Sequence, residues 1–123
     1  INTYYPPNQP TPRRCYRLGQ AIRRAVESYP RDIRVGVAAS GGLSHFVVDE
    51  ALDRGLFDLF QKNDGAAIEG LPREKLNSGS SEIRTWICVA GAVEHLALEW
   101  WHYEPGYRTP AGTGTGLGFA LWS

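Results

Sequence analysis

Two residues stand in surroundings that suit chemistry, His45 and Glu82. His45 closes the turn Ser40-Gly41-Gly42-Leu43-Ser44-His45, which follows the short apolar run Ile33 to Ala39. A strand, a glycine turn and then a helix is the context in which α/β proteins present functional groups, outside the carboxyl end of a strand. The expected helix from Phe46 to Arg54 places the imidazole at a helix N-terminus, where the macrodipole disfavours the cation. A ring kept neutral can take a proton near neutral pH, so general acid–base work is the chemistry on offer. The same position also suits a loop histidine packed for structural reasons.

Glu82 is the first acidic residue of a segment that is otherwise apolar, following Ser78-Gly79-Ser80-Ser81. There its carboxylate either meets the free N–H groups of a first helical turn or binds something positive, such as Fe(II), Mn(II) or Zn(II). His95 and His102 are a weaker pair, seven residues apart and read as structural. The run Gly112-Thr113-Gly114-Thr115-Gly116-Leu117-Gly118 is not a phosphate loop. Such a loop feeds a helix N-terminus and usually carries a lysine, whereas here Phe119-Ala120-Leu121-Trp122 follows. It reads as a glycine-rich bend before a closing strand.

The elements that position these residues follow from pattern. Pro6, Pro7 and Pro10 keep residues 1–10 out of helices and central strands. Thr11-Pro12 is an N-cap with proline in the first turn, and Cys15, Leu18, Ile22, Ala25, Val26 and Tyr29 recur at helical spacing as far as Pro30. The arginines opposite them read as a solvated face. Ile33 to Ala39 reads as a strand buried on both faces, as in α/β sheets. Gly55 divides the helix at Phe46 from another turn or two at Leu56 to Gln61. A short helix is expected near Pro72 to Leu76, and a buried helix from about Glu82 to His95. Leu96 to Tyr103 and Leu117 to Trp122 read as strands. The class is therefore α/β, a mixed sheet with flanking helices, and residues 1–123 read as one partial domain. So small a sheet leaves edges and a face uncovered, so further strands are expected from an upstream segment.

Composition narrows the function classes. Thirteen basic and thirteen acidic residues among 123 give zero net charge, which argues against nucleic acid as a partner. Two cysteines, Cys15 and Cys88, are too few for a disulfide-built secreted domain and read as reduced thiols. No apolar run is long enough to span a bilayer and no leader opens the chain, so no membrane association and a cytoplasmic location are expected. With no methionine present, Ile1 is not expected to be a translation start, and sequence is expected before it.

Three stretches carry a resemblance. Ile1 to Arg14, with Asn2-Thr3-Tyr4-Tyr5-Pro6-Pro7-Asn8-Gln9-Pro10-Thr11-Pro12, is one; Ala38-Ala39-Ser40-Gly41-Gly42-Leu43-Ser44-His45 and Gly79-Ser80-Ser81-Glu82-Ile83-Arg84-Thr85-Trp86 are the others. Together they resemble the second half of the class III, LigB-type extradiol ring-cleavage dioxygenases, a family that includes protocatechuate 4,5-dioxygenase and gallate dioxygenases. The resemblance implies a LigB-like α/β fold and a non-haem Fe(II) held by two histidines and a glutamate, with O₂ and a catecholic aromatic as substrates. It implies that Glu82 is the glutamate ligand and His45 the acid–base residue beside the iron. Tyr4, Asn8 and Ser44 are the candidate substrate contacts, with Tyr5 and Arg108 in loops that could line the same pocket.

In that family the two histidine ligands lie in the N-terminal half, and no histidine precedes Pro12 here. The resemblance thus implies the missing N-terminal half of the same subunit as a partner, without which this chain is inactive. It also implies an oligomer, with scope for a small accessory subunit. Two other classes compete: a non-catalytic binding or scaffold relative with the same fold, and a zinc hydrolase, which the absence of an HExxH pattern or cysteine cluster disfavours.

Overall fold

The computed structural model describes residues 1–123. Helix α1 runs from Pro12 to Glu27 and begins as its sequence dictates: Thr11 is extended, its side chain accepts from the Arg14 N–H, and Pro12 occupies the first turn. Strand β1 is His45–Val47, helix α2 Glu50–Lys62, helix α3 Gly65–Glu69, and helix α4 Ile83–Ala92. Two 3₁₀ turns, Arg73–Leu76 and Ser78–Ser80, lead into α4. Strands β2, Leu98–Tyr107, and β3, Thr113–Trp122, form a hairpin.

Helices and sheet together give the expected α/β class, but the sheet is antiparallel throughout rather than mixed. Its order is β1-β3-β2, with His45 opposite Thr115 and Tyr103 opposite Gly118. One face of the hairpin turns Trp101, Tyr103, Ala120 and Trp122 towards α2 and α4, where Phe57, Phe60 and Trp86 complete an aromatic core. Phe57 stacks on Trp101 with ring centres 4.6 Å apart, and Phe60 on Trp86 at 6.4 Å.

Helices α1 and α4 meet through reciprocal glycines. A Cβ at Gly19 would collide with the Cys88 carbonyl oxygen, and one at Gly91 with that of Tyr16. This close approach explains why the buried stripe of α1 is Pro12, Cys15, Tyr16 and Gly19 rather than the expected Cys15, Leu18, Ile22 and Val26. Leu18, Val26 and Tyr29 are exposed instead. Three of the five arginines of α1 are paired with carboxylates: Arg13 and Arg17 meet Glu69, and Arg23 meets Glu27 and Glu94. Arg13, Arg17 and Arg24 lie on the solvated face expected of them, whereas Arg23 is half-buried.

Four expectations are corrected. Ile33 to Ala39 is neither a ladder strand nor buried: residues 31–40 enter no backbone hydrogen bond, and Ile33, Val35 and Val37 are exposed. An apolar strand needs a neighbour to pair with, and none of the three strands lies alongside it. His45 starts a strand, not a helix, so the macrodipole has no hold on it. Gly55 does not interrupt α2, because Asp53, Leu56, Phe57 and Phe60 keep one buried stripe running past it. A glycine there costs only about 1 kcal/mol. Finally, Gly114, Gly116 and Gly118 lie within β3, where side chains at Gly114 and Gly116 would strike Gly106 and Asp53; the bend itself is at Gly112 (φ 81°).

No helix is long and apolar enough to cross a membrane. Both cysteines are free, and burial raises the Cys15 thiol from 9.0 to about 11. A thiol whose pKa is raised by folding contributes stability that is fully present below the unfolded value and lost as pH rises through the folded one. Resistance to denaturant should therefore hold at about pH 8 and fall by about pH 10.5, and Cys15→Ala should reduce that fall. Equal pH dependence in the two proteins would show that Cys15 is not responsible.

Candidate active site

The His45 turn is held from several directions. Leu43 donates its N–H to the Gly116 carbonyl at 2.9 Å, and the Gly116 N–H returns a bond to the Ser44 carbonyl at 2.8 Å. The imidazole Nδ1 lies 3.0 Å from the carbonyl oxygens of both Leu43 and Gly79. Two acceptors at one ring nitrogen require that nitrogen to carry the hydrogen, so in the neutral ring Nε2 holds the lone pair. Nε2 in turn faces Glu82 Oε2 at 3.5 Å. The direction of that lone pair is thus fixed by the backbone.

Glu82 precedes α4 but does not serve it as a cap: its side chain makes no capping hydrogen bond. With 45% of the side chain exposed, the carboxylate is open to a ligand. Three glycines let the two side chains approach. A Cβ at Gly41, whose φ of 127° already favours glycine, would stand 2.6 Å from Glu82 Oε2. One at Gly42 would stand 2.9 Å from the His45 ring. One at Gly79 would collide with the His45 carbonyl. The Trp86 indole N–H binds the Gly41 carbonyl at 3.1 Å, tying this turn to α4 one helical turn beyond Glu82. Immediately after His45, Phe46 adopts φ 68°, a conformation that costs an L-residue roughly 1–2 kcal/mol and that functional turns tend to retain.

A buried carboxylate underlies the turn. Asp53, on the inner face of α2, is fully buried and accepts three hydrogen bonds: from the Ser44 N–H at 3.0 Å, the Ser44 hydroxyl at 2.6 Å and the Tyr103 hydroxyl at 2.8 Å. The Ser44 hydroxyl also receives the Asp49 N–H at 2.9 Å, so its own hydrogen is free for Asp53. Burial raises the Asp53 pKa while the bonds from Ser44 and Tyr103 oppose the rise. The Tyr103 hydroxyl is pushed up by burial and by Asp53, and the Arg54 guanidinium lies 4.8 Å over the Tyr103 ring. Sequence reasoning singles out neither Asp53 nor Tyr103. The available signal is a carboxylate in the middle of an apolar helical stripe, masked by ending the helix at Gly55.

The other candidates fall elsewhere. Ser44 is fully buried and its hydroxyl is committed to Asp53. Tyr4 and Asn8 are exposed in the N-terminal loop, and Tyr4 shares an open groove with Arg73, Asn77 and Ser78, next to Gly79. Tyr5 is exposed in the same loop, and Arg108 lies in the β2–β3 turn. His95 is exposed beyond α4, and His102 is on β2, 3.8 Å from Glu104. Arg84, fully buried on α4, binds the carbonyls of Thr3, Pro10 and Leu76 and so anchors the N-terminal loop. No three His, Cys, Asp or Glu side chains are grouped to hold a metal ion. An open carboxylate suits Fe(II) as one ligand.

Comparison with known proteins matches residues 1–118 to the family described as catalytic LigB subunit of aromatic ring-opening dioxygenase. Gallate dioxygenase of Pseudomonas putida is similar at 38% identity over 94 residues, an alignment that covers 68% of this chain and 28% of that protein. The stretch with the glycine turn, His45 and Glu82 thus lies within the matched family region, and the chain belongs to the LigB family of aromatic ring-opening dioxygenase catalytic subunits.

Proposed function

We propose that this chain brings one iron ligand and one acid–base residue to the active site of a ring-opening dioxygenase, and that the complete protein cleaves a catecholic ring beside its diol with O₂. Protocatechuate-like and gallate-like diols are the substrate class. The observation that carries the reading is the pairing of an uncapping, half-exposed carboxylate, Glu82, with the free nitrogen of His45 at 3.5 Å. Family membership and the gallate dioxygenase relative support it.

In this reading Glu82 holds Fe(II) through its carboxylate, with two histidines supplied by sequence outside this chain. Held there, Fe(II) would supply the electron chemistry that lets O₂ react with the ring of a bound diol. The protein's own contribution is proton traffic and position. His45 Nε2 takes the proton from a substrate hydroxyl, with the ring held by Nδ1–H on two carbonyls, and returns it as the ring opens. In a glycine-lined turn that cannot widen without breaking the Gly116 bonds, the imidazole has one direction in which to act.

The partner in this reading is the rest of the catalytic subunit, since the chain spans 28% of the relative it matches. An observation here favours it: residues 31–40 carry a free row of backbone groups beside a groove lined by Val35, Val37, Trp86, Val89 and Leu121. A strand that pairs with Ile33–Ala39 and a layer over that groove would satisfy both.

Three outcomes test these proposals. Glu82→Ala in the complete protein should reduce bound iron, measured by metal analysis after anaerobic loading. His45→Ala should keep the iron and lose turnover of protocatechuate or gallate by about 10²–10⁴-fold, followed by the absorbance of the ring-opened product. Iron-free wild-type protein with unaltered His45→Ala behaviour would instead identify a non-catalytic relative. The amides of residues 33–39 should exchange slowly in the complete protein and rapidly in this chain alone; fast exchange in both would remove the pairing argument.

A further inference from the structure

We propose that Asp53 is a positioning residue for His45, acting through Ser44, with Tyr103 as the group that fixes its carboxylate. The inference rests on the reading of His45 as the acid–base residue and adds to it the device that sets its geometry.

A carboxylate taken fully out of water costs several kcal/mol even with good partners, and an apolar residue of similar size at such a site is often as stabilising or more so. The neighbours of Asp53 on the buried stripe of α2 are Leu56, Phe57 and Phe60, so an apolar residue would continue the stripe. A charge placed there adds little to the core. What it adds is direction.

All three partners of Asp53 are donors, and two belong to Ser44, the residue between Leu43 and His45. Because one carboxylate oxygen takes the Ser44 N–H and the other its hydroxyl, the orientation of the whole Ser44 peptide is fixed. That peptide sets where Leu43 offers its carbonyl to His45 Nδ1 and where the His45 ring begins. Tyr103 reaches across from β2 and prevents the carboxylate from rotating, and Gly116 leaves the space in which it sits. The chain of contact is Tyr103 to Asp53 to Ser44 to His45, with no direct contact between Asp53 and the imidazole.

Substitution by asparagine breaks this logic without removing bulk. The amide oxygen can still accept the Ser44 N–H, but the amide NH₂ then faces two hydroxyls as a donor, and the Ser44 hydroxyl already receives the Asp49 N–H. The Ser44 and Tyr103 hydroxyls then lose the acceptor for their own hydrogens and no longer hold the turn as the carboxylate does. Displacements of about an ångström in a reacting group can cost on the order of 10²-fold in rate.

The experiment uses the complete, Fe(II)-loaded protein with gallate and protocatechuate. Asp53→Asn should lower kcat by about 10²-fold and Tyr103→Phe by about 10-fold, with iron content and KM unchanged. The deciding arm is the background: in His45→Ala protein, neither substitution should lower the residual rate further, because residues that act through one group are not additive. A loss of the same size in both backgrounds would overturn the proposal. So would a lower Tm with unchanged kcat in the folded fraction. Should Asp53→Asn fail to fold, Tyr103→Phe, which deletes a single hydroxyl, decides between the two outcomes by itself. Full turnover in His45→Ala would overturn the acid–base reading itself, a result distinct from an inert Asp53→Asn beside an impaired His45→Ala.

Discussion

The turn at Ser44 and the distant strand β2 both donate hydrogen bonds to the Asp53 carboxylate of helix α2. Remove the charge and the surrounding donors lose their common acceptor inside a region closed to water, where each unsatisfied group costs about 1–3 kcal/mol. The consequences extend through the hairpin, since β3 must carry glycine opposite this point to make room for the carboxylate. Much of the glycine-rich sequence from Gly112 to Gly118 is thus explained by what it faces: Gly114 lies against Gly106, Gly116 against Asp53, and Gly118 against Leu43 and Phe57.

Local chemistry is legible in the sequence and long-range pairing is not. The start of α1 depends on Thr11 and Pro12 alone, and both ends of that argument lie within one turn. The 3₁₀ turn at Arg73–Leu76 and the burial of α4 can also be read from nearby residues. The fate of Ile33 to Ala39 depends on which strands are present to pair with it, which no local pattern contains. The buried stripe of α1 likewise depends on Gly91 of a helix about seventy residues later. Helix α3 leaves little trace in the pattern because its five residues, Gly65–Glu69, are too few to show a period; its Asp64 cap is the only mark.

For the site itself, the residues are legible and their supports are not. His45 and Glu82 can be singled out by type, by their turns and by resemblance. That they stand side by side, with Glu82 uncommitted to its helix, emerges only from the structure. The glycines at 41, 42 and 79 have individual reasons, each leaving space that His45 or Glu82 occupies. A site made this way is rigid because its walls are backbone.

The unpaired segment at residues 33–39 has a consequence for handling as well as for architecture. A run of exposed valines and isoleucine with unengaged N–H and C=O groups is a template for pairing with other chains, including copies of itself. No proline and only one charged residue, Arg34, interrupts Ile33 to Ala39. During synthesis this segment emerges with its apolar side chains uncovered, and until something pairs with it the chain competes with aggregation. How soon the segment finds a pairing edge thereby becomes part of how it is kept soluble.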